Sequence, residues 1–194
     1  MLRKTFVIIP IILLALAGCS NTKAKETAQG AAPSVGAPAA PGNAPTATAT
    51  PTACPTGKTR KLAKTRFIAN AGLAAGAFKR YIYDPYRSGA FKSDAKGHKR
   101  AIVKAAAAGL FVLDQLRRAK ANVQADPMLC RTLSAPLQNL SNVMKSAVDK
   151  LRGGNADPSA IGAASGALEQ TRSTAGSAGA GFKDKNVPSN MIGG

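Results

Sequence analysis

Three Asp-Pro dipeptides, at 84–85, 126–127 and 157–158, decide how this chain can be laid out. Proline lacks a backbone N–H and its ring collides with the carbonyl four residues back. It therefore kinks or breaks a helix interior but suits the first turn, with aspartate before it as a cap. Between these marks apolar residues recur every three or four positions, the period of a helix with one buried face. No stretch combines two-residue alternation with β-branched enrichment, so strands have no candidate. The chain is expected to be all-α, an antiparallel bundle of three to four helices.

A first helix is expected from Thr59 to Tyr83, with Ile68, Ala71, Ala75, Phe78 and Ile82 on one face. Asp84-Pro85 should end it, because the residue before proline avoids the α region, and Ser88-Gly89 extends the break. Gly72 and Gly76, four apart like Ala71 and Ala75, would let a neighbouring helix approach closely. A second helix should start from a Ser93 or Asp94 cap and run to about Ala125, with Ile102, Ala106, Gly109, Leu113 and Leu116 as its stripe. After Asp126-Pro127 comes the most regular stripe of all: Leu133, Leu137, Leu140, Met144, Ala147 and Leu151. There Pro136 predicts a kink, or a short helix followed by a longer one, and Gly153-Gly154 a stop. A weaker fourth helix after Asp157-Pro158 carries Ile161 and Leu168 and is expected to fray beyond Ala175. The helical domain then spans 58–178, and residues 179–194 read as a disordered tail.

The other end of the chain bears on location. Arg3 and Lys4 precede an apolar run, Phe6 to Leu16, interrupted only by Pro10. Such a run falls short of the roughly 20 residues that cross a bilayer and reads as a secretory signal over residues 1–18. It closes on Leu16-Ala17-Gly18-Cys19, which resembles the lipobox of bacterial lipoproteins. The resemblance covers residues 1–20. It implies that the Cys19 sulfur receives a diacylglyceryl group, with acyl chains of the palmitate kind, and that the signal is cut before it. The protein would then be lipid-anchored in the cell membrane on its extracytoplasmic face, two acyl chains sufficing for stable attachment. The alternative is an ordinary secretory signal whose end contains a cysteine. Ser20 argues against an aspartate-type inner-membrane retention signal should the cell have two membranes.

Residues 19–57 comprise the lipidated cysteine and an Ala/Pro/Thr-rich stretch almost free of large apolar side chains. Such a stretch cannot bury enough surface to fold and reads as a disordered, extended tether. Residues 62–109, beginning LAKTRFIANAG, are similar to small secreted helical proteins of high-GC Gram-positive bacteria, a resemblance that implies a setting but no activity.

With Cys19 acylated, Cys54 and Cys130 remain as an even pair in a disulfide-permissive compartment and are expected to be bridged. In an up-down-up bundle the starts of the first and third helices share an end, which is where these two residues fall. Free thiols or a metal site are the alternatives; neither has supporting His or Cys neighbours, and the spacing is no zinc pattern.

The net charge of +18 is unevenly placed: residues 58–152 hold 20 Lys/Arg against 5 Asp/Glu, while 153–194 hold three of each. The sharpest feature is RYIYDPYRSGAFKSDAKGHKR, residues 80–100, in which Tyr81, Tyr83, Tyr86 and Phe91 are threaded among Arg80, Arg87, Lys92, Lys96, Lys99 and Arg100. Cations for phosphates and rings for bases would suit a nucleic acid. A lipid-anchored protein outside the cytoplasm meets no chromosome or messenger, so nucleic acid becomes the minor alternative. Lipid headgroups and anionic wall or envelope polymers lead as partners. The plain alternative is that the cations solvate a bundle surface while Tyr81 and Phe91 pack inward.

Catalysis has little to build on. His98 is the one histidine, and the acids are scattered, with Asp94, Asp126 and Asp157 read as caps. There is no GxSxG, P-loop or HExxH pattern, and Ser93-Asp94-Ala95-Lys96 matches SxxK only formally. No catalytic residue, metal ligand or cofactor is assigned. The sequence is read as a non-catalytic lipoprotein whose basic helical domain binds an anionic envelope component. The alternative is a structural or accessory subunit that binds another envelope protein through a helical face.

Overall fold

The computed structural model describes residues 53–192. The leader, Cys19 and the tether up to residue 52 lie outside the described residues. Four long helices carry the fold: α1 (Ala63–Phe78), α3 (His98–Val123), α4 (Pro127–Arg152) and α5 (Pro158–Ser177). A five-residue π-helical turn, Lys79–Tyr83, joins α1 to the short α2 (Asp84–Arg87), and a 3₁₀ turn, Ser189–Met191, lies near the C-terminus. Helix α1 packs on α3, α3 on α4 and α4 on α5; the last two pairs are joined by short turns, and α1 reaches α3 through residues 79–97, which hold the π-helical turn and α2. The domain is an all-α bundle.

Every member of the α4 stripe is buried, as its regular period predicts. Of the expected α3 stripe, Ile102, Gly109 and Leu116 are buried, while Ala105 and Val112 take the places expected of Ala106 and Leu113. Ala105, Ala108, Val112, Leu116, Ala119 and Val123 are inside, while Ala106 and Leu113 are only partly covered. The cause is the alanine run 105–108, whose members fit either face equally well; Val112 and Leu116 decide the register.

Two of the three Asp-Pro pairs act as caps. Asp126 accepts from the backbone N–H groups of Met128 and Leu129 at 3.0 and 3.1 Å, and Asp157 accepts from that of Ala160 at 3.0 Å. Such caps contribute about 1 kcal/mol each. The first pair behaves differently and does not end its helix. The N–H of Asp84 reaches back five residues to the carbonyl of Lys79. This wider turn lets the chain restart with Pro85 in the first turn of α2, where its missing N–H costs nothing. The stop comes at Gly89, with φ +77°: Ala90 donates to Pro85 O and Gly89 to Tyr86 O, a paired closure that needs a left-handed residue.

Ser93 and Asp94 do not cap α3. Residues 89–98 form successive tight turns (Lys92 to Gly89, Ala95 to Lys92, His98 to Ala95), and the helix opens only after Gly97, without a side-chain cap. Pro136 does not interrupt α4, which runs as one helix through it. The carbonyl that loses its partner belongs to Thr132, an exposed residue, so water can replace the missing N–H.

The largest departure is the C-terminal segment. Residues 180–192, expected to be disordered, run in an ordered path along α1 and bury Ala180, Phe182, Val187 and Ile192. Lys185 N–H donates to Gly72 O at 2.9 Å, Tyr81 Oη donates to Val187 O at 2.7 Å, and the Phe182 ring meets Phe67 edge-on at 6.0 Å. Gly72 and Gly76 thus admit an extended backbone and not a helix. A Cβ at Gly76 would lie 1.8 Å from Lys185 O, and one at Gly72 2.7 Å from Lys183 O. Two glycines one turn apart leave a groove that serves either kind of neighbour, so their spacing does not say which one fills it.

At the end of the bundle where α1 and α4 begin, the sulfurs of Cys54 and Cys130 lie at disulfide distance, with Cα atoms 5.6 Å apart. Thr59 N–H donates to Ala125 O at 2.9 Å beside them, and Lys58 approaches Asp126 at 3.9 Å. The shared end expected from the up-down-up topology is present.

Candidate anion-binding site

The π-helical turn, α2 and the turns to Gly97 gather at the opposite end of the bundle, where α3 and α5 begin. The end of α2 and the following loop lean against the start of α5, leaving an open cleft of about 770 Å³. Tyr83, Tyr86, Phe91, Arg87 and Lys92 line one side, and Ala156, Pro158 and Gly162 the other. The three rings are half-buried, each packed on the core by part of its surface. Their remaining surface, with two cations beside it, forms an apolar floor with a positive edge.

The sequence placed six cations in one site; the structure divides them. Arg87 and Lys92 line the cleft. Lys96 and Arg100 are exposed around the start of α3, and Lys99 edges a separate groove between α3 and α4. Arg80 is drawn away: its guanidinium bonds Asn186 of the C-terminal segment and lies over the Tyr81 ring, 5.5 Å from the centroid. It therefore helps to hold the tail. Lys104, not singled out in the sequence, joins it with its ammonium 5.2 Å from the same ring centroid.

The aromatics divide as well. Tyr81 is buried, with its hydroxyl used by Val187, so it packs inward. Tyr83, Tyr86 and Phe91 keep one side toward the cleft, and neither tyrosine hydroxyl bonds within the protein among the described residues. The wall from α5 escaped the sequence reading. Its Asp157-Pro158 start was legible, but its neighbour across the cleft is about 70 residues earlier in the chain.

Among the described residues, none of Arg87, Lys92, Lys96, Lys99 and Arg100 has a carboxylate within 4.0 Å; the same is true of Arg60, Lys61, Lys64 and Arg66 at the other end, whereas Arg117, Arg118, Lys145, Lys150 and Arg172 are paired. Asp114 is held below the ordinary carboxylate range, first by the hydrogen bond from Arg117 and then by that from Arg118. Asp157, between the cleft-lining Ala156 and Pro158, is held down first by the hydrogen bond from Lys150 and then by the Ala160 N–H. Asp157 therefore takes up the Ala160 N–H at the α5 start, and the cations that line the cleft are Arg87 and Lys92.

A second surface feature flanks the first. Val103 and Leu110 stand exposed on α3 beside a groove floored by Ile102, Ala106 and Leu151 and edged by His98, Lys99 and Arg152. Among the described residues no three His, Cys, Asp or Glu side chains come together as a metal site, and no helix is long and apolar enough to cross a membrane. No protein-family model, curated protein or solved structure matches this chain.

Proposed function

We propose that this chain is a non-catalytic lipoprotein, anchored through diacylglyceryl-Cys19 on the outer face of a cell membrane, whose basic helical domain binds an anionic component of the envelope. The observation that carries the binding role is the set Arg87, Lys92, Lys96, Lys99 and Arg100, five cations within fourteen residues at one end of the bundle, none with a carboxylate within 4.0 Å among the described residues. Arg60, Lys61, Lys64 and Arg66 at the opposite end are likewise without an ion pair among the described residues, but the Arg87 to Arg100 set lies beside an aromatic cleft and retains mutual repulsion that an anionic surface would relieve. The lipobox residues Leu16 to Cys19 supply the anchor of the reading.

Two experiments test its two halves. For the anchor, Cys19→Ala should move the protein from the membrane fraction to the soluble one; unchanged fractionation and unchanged detergent partitioning would sink the lipoprotein assignment. For the binding role, the full Cys19→Ala chain should co-sediment with isolated cell walls or with anionic vesicles and not with neutral vesicles. Replacing all five cations by glutamine should weaken that binding by about 10³-fold at low salt and flatten its salt dependence by up to five counter-ions, by analogy with polyelectrolyte release. Equal binding by both chains would make the charge a solubility feature.

The exposed Val103 and Leu110 favour a second reading, a subunit that meets another envelope protein through the outer face of α3. Binding of that kind would hold at high salt and fail on Leu110→Ser.

A further inference from the structure

We infer that the cleft between α2 and α5 is a saccharide site, selecting a sugar ring that carries a carboxylate or phosphate. This deepens the binding role proposed above and rests on it. A charge cluster alone recognises any polyanion, and nothing in it distinguishes a phosphate chain from a glycan. The cleft adds what a glycan needs. Tyr83, Tyr86 and Phe91 offer partial ring surfaces, and the C–H groups on one side of a pyranose, slightly positive, settle against the negative face of such rings. The two tyrosine hydroxyls, without bonds inside the protein among the described residues, can meet the sugar's own hydroxyls. Arg87 and Lys92 at the margin supply the charge contact, Arg87 with a fork suited to a carboxylate or phosphate.

The cleft volume of about 770 Å³ lies within the ~300–1,000 Å³ of small-ligand sites and suits a unit of a polymer entering from the open side. A flat nucleobase also stacks, but it seeks a whole ring face, whereas these rings give up part of theirs to the core. A phosphate-only polymer would leave the apolar floor uncovered. The same acidic saccharide chemistry occurs in a free polymer and in a glycolipid headgroup.

The test is a calorimetric titration of the full Cys19→Ala chain at one fixed salt concentration. The probes are an oligomer of galacturonic acid, polyphosphate of equal charge, neutral maltoheptaose and an oligothymidylate. The uronic acid oligomer is expected to bind about tenfold tighter than any of the others, a stacking contribution of about 1.4 kcal/mol. Tyr86→Ala should cost the uronic acid oligomer about tenfold and polyphosphate less than about twofold, and Tyr86→Phe, which keeps the ring, should recover most of the loss. Vesicles of phosphatidylinositol and of phosphatidylglycerol separate the sources: preference for the first assigns a glycolipid headgroup, and no preference alongside oligomer binding assigns a polymer. Polyphosphate or oligothymidylate binding as tightly as the uronic acid oligomer would overturn the saccharide site while leaving the anion-binding role intact. Binding of none of the probes would overturn the saccharide site, and failure to bind charged vesicles and isolated cell walls as well would overturn the anion-binding role. The comparison among probes needs no variant, so it stands even if Tyr86→Ala fails to fold.

Discussion

Gly76→Ala should destabilise the domain by about 2–4 kcal/mol, although alanine is the better helix former by about 1 kcal/mol. The sign comes from the approach of the C-terminal segment. The new Cβ would lie 1.8 Å from Lys185 O and 2.8 Å from its carbonyl carbon, both backbone atoms that cannot rotate away. The segment must lift, and with it go the burial of Phe182 and Val187 and the bond from Tyr81 to Val187. Burying each apolar side chain contributes about 1.5–3 kcal/mol, reduced by the entropy of ordering the segment. Gly166→Ala in α5, where a Cβ meets nothing within 4 Å, should instead stabilise by about 0.5–1 kcal/mol. Urea midpoints of the two variants therefore move in opposite directions. A Gly76→Ala midpoint at or above that of the unsubstituted chain would show that residues 180–192 do not lie on α1 in solution.

The second large effect belongs to Cys54 and Cys130. They are 76 residues apart in sequence, and closing a loop of that length removes about 4.5 kcal/mol of unfolded-state entropy in the chain-entropy model. Cys54→Ser with Cys130→Ser, or reduction, should lower stability by an amount approaching that figure. Residues 53–62 should also become protease-sensitive, since little besides the Thr59 to Ala125 bond holds them. Identical urea midpoints with and without reductant would mean that the bond does not form.

What the sequence made legible follows from how locally each feature is encoded. The α4 stripe could be read because its large side chains leave one register, and the Asp126 and Asp157 caps because a cap acts within three residues. The shared end of Cys54 and Cys130 followed from counting helices. The α3 stripe was legible at Ile102, Gly109 and Leu116 and blurred between them by an alanine run with no preferred face. Asp84-Pro85 misled because a π-helical turn accommodates the proline by widening the helix before it, and nothing in KRYIY announces that. The tail was misjudged because Phe182, Val187 and Ile192 are spaced as no regular element requires; they match a groove on α1 that forms only in the fold. The candidate site was half legible for the same reason. Its cations and rings lie in one run, but whether they converge depends on where α5 begins and on the tail, which takes Arg80 and Tyr81 for itself.

The placement of residues 180–192 also sets an order of events during biosynthesis. The groove on α1 is made before its filling, which follows more than a hundred positions later: Gly72 waits for Lys185, and Phe67 for Phe182. A contact so distant in sequence closes slowly. Until residues 180–192 have left the ribosome, and on the proposed route the translocation channel, no chain can complete its core. A nascent chain stays open along α1 until that segment arrives, which on the proposed route would keep it unfolded for passage across the membrane.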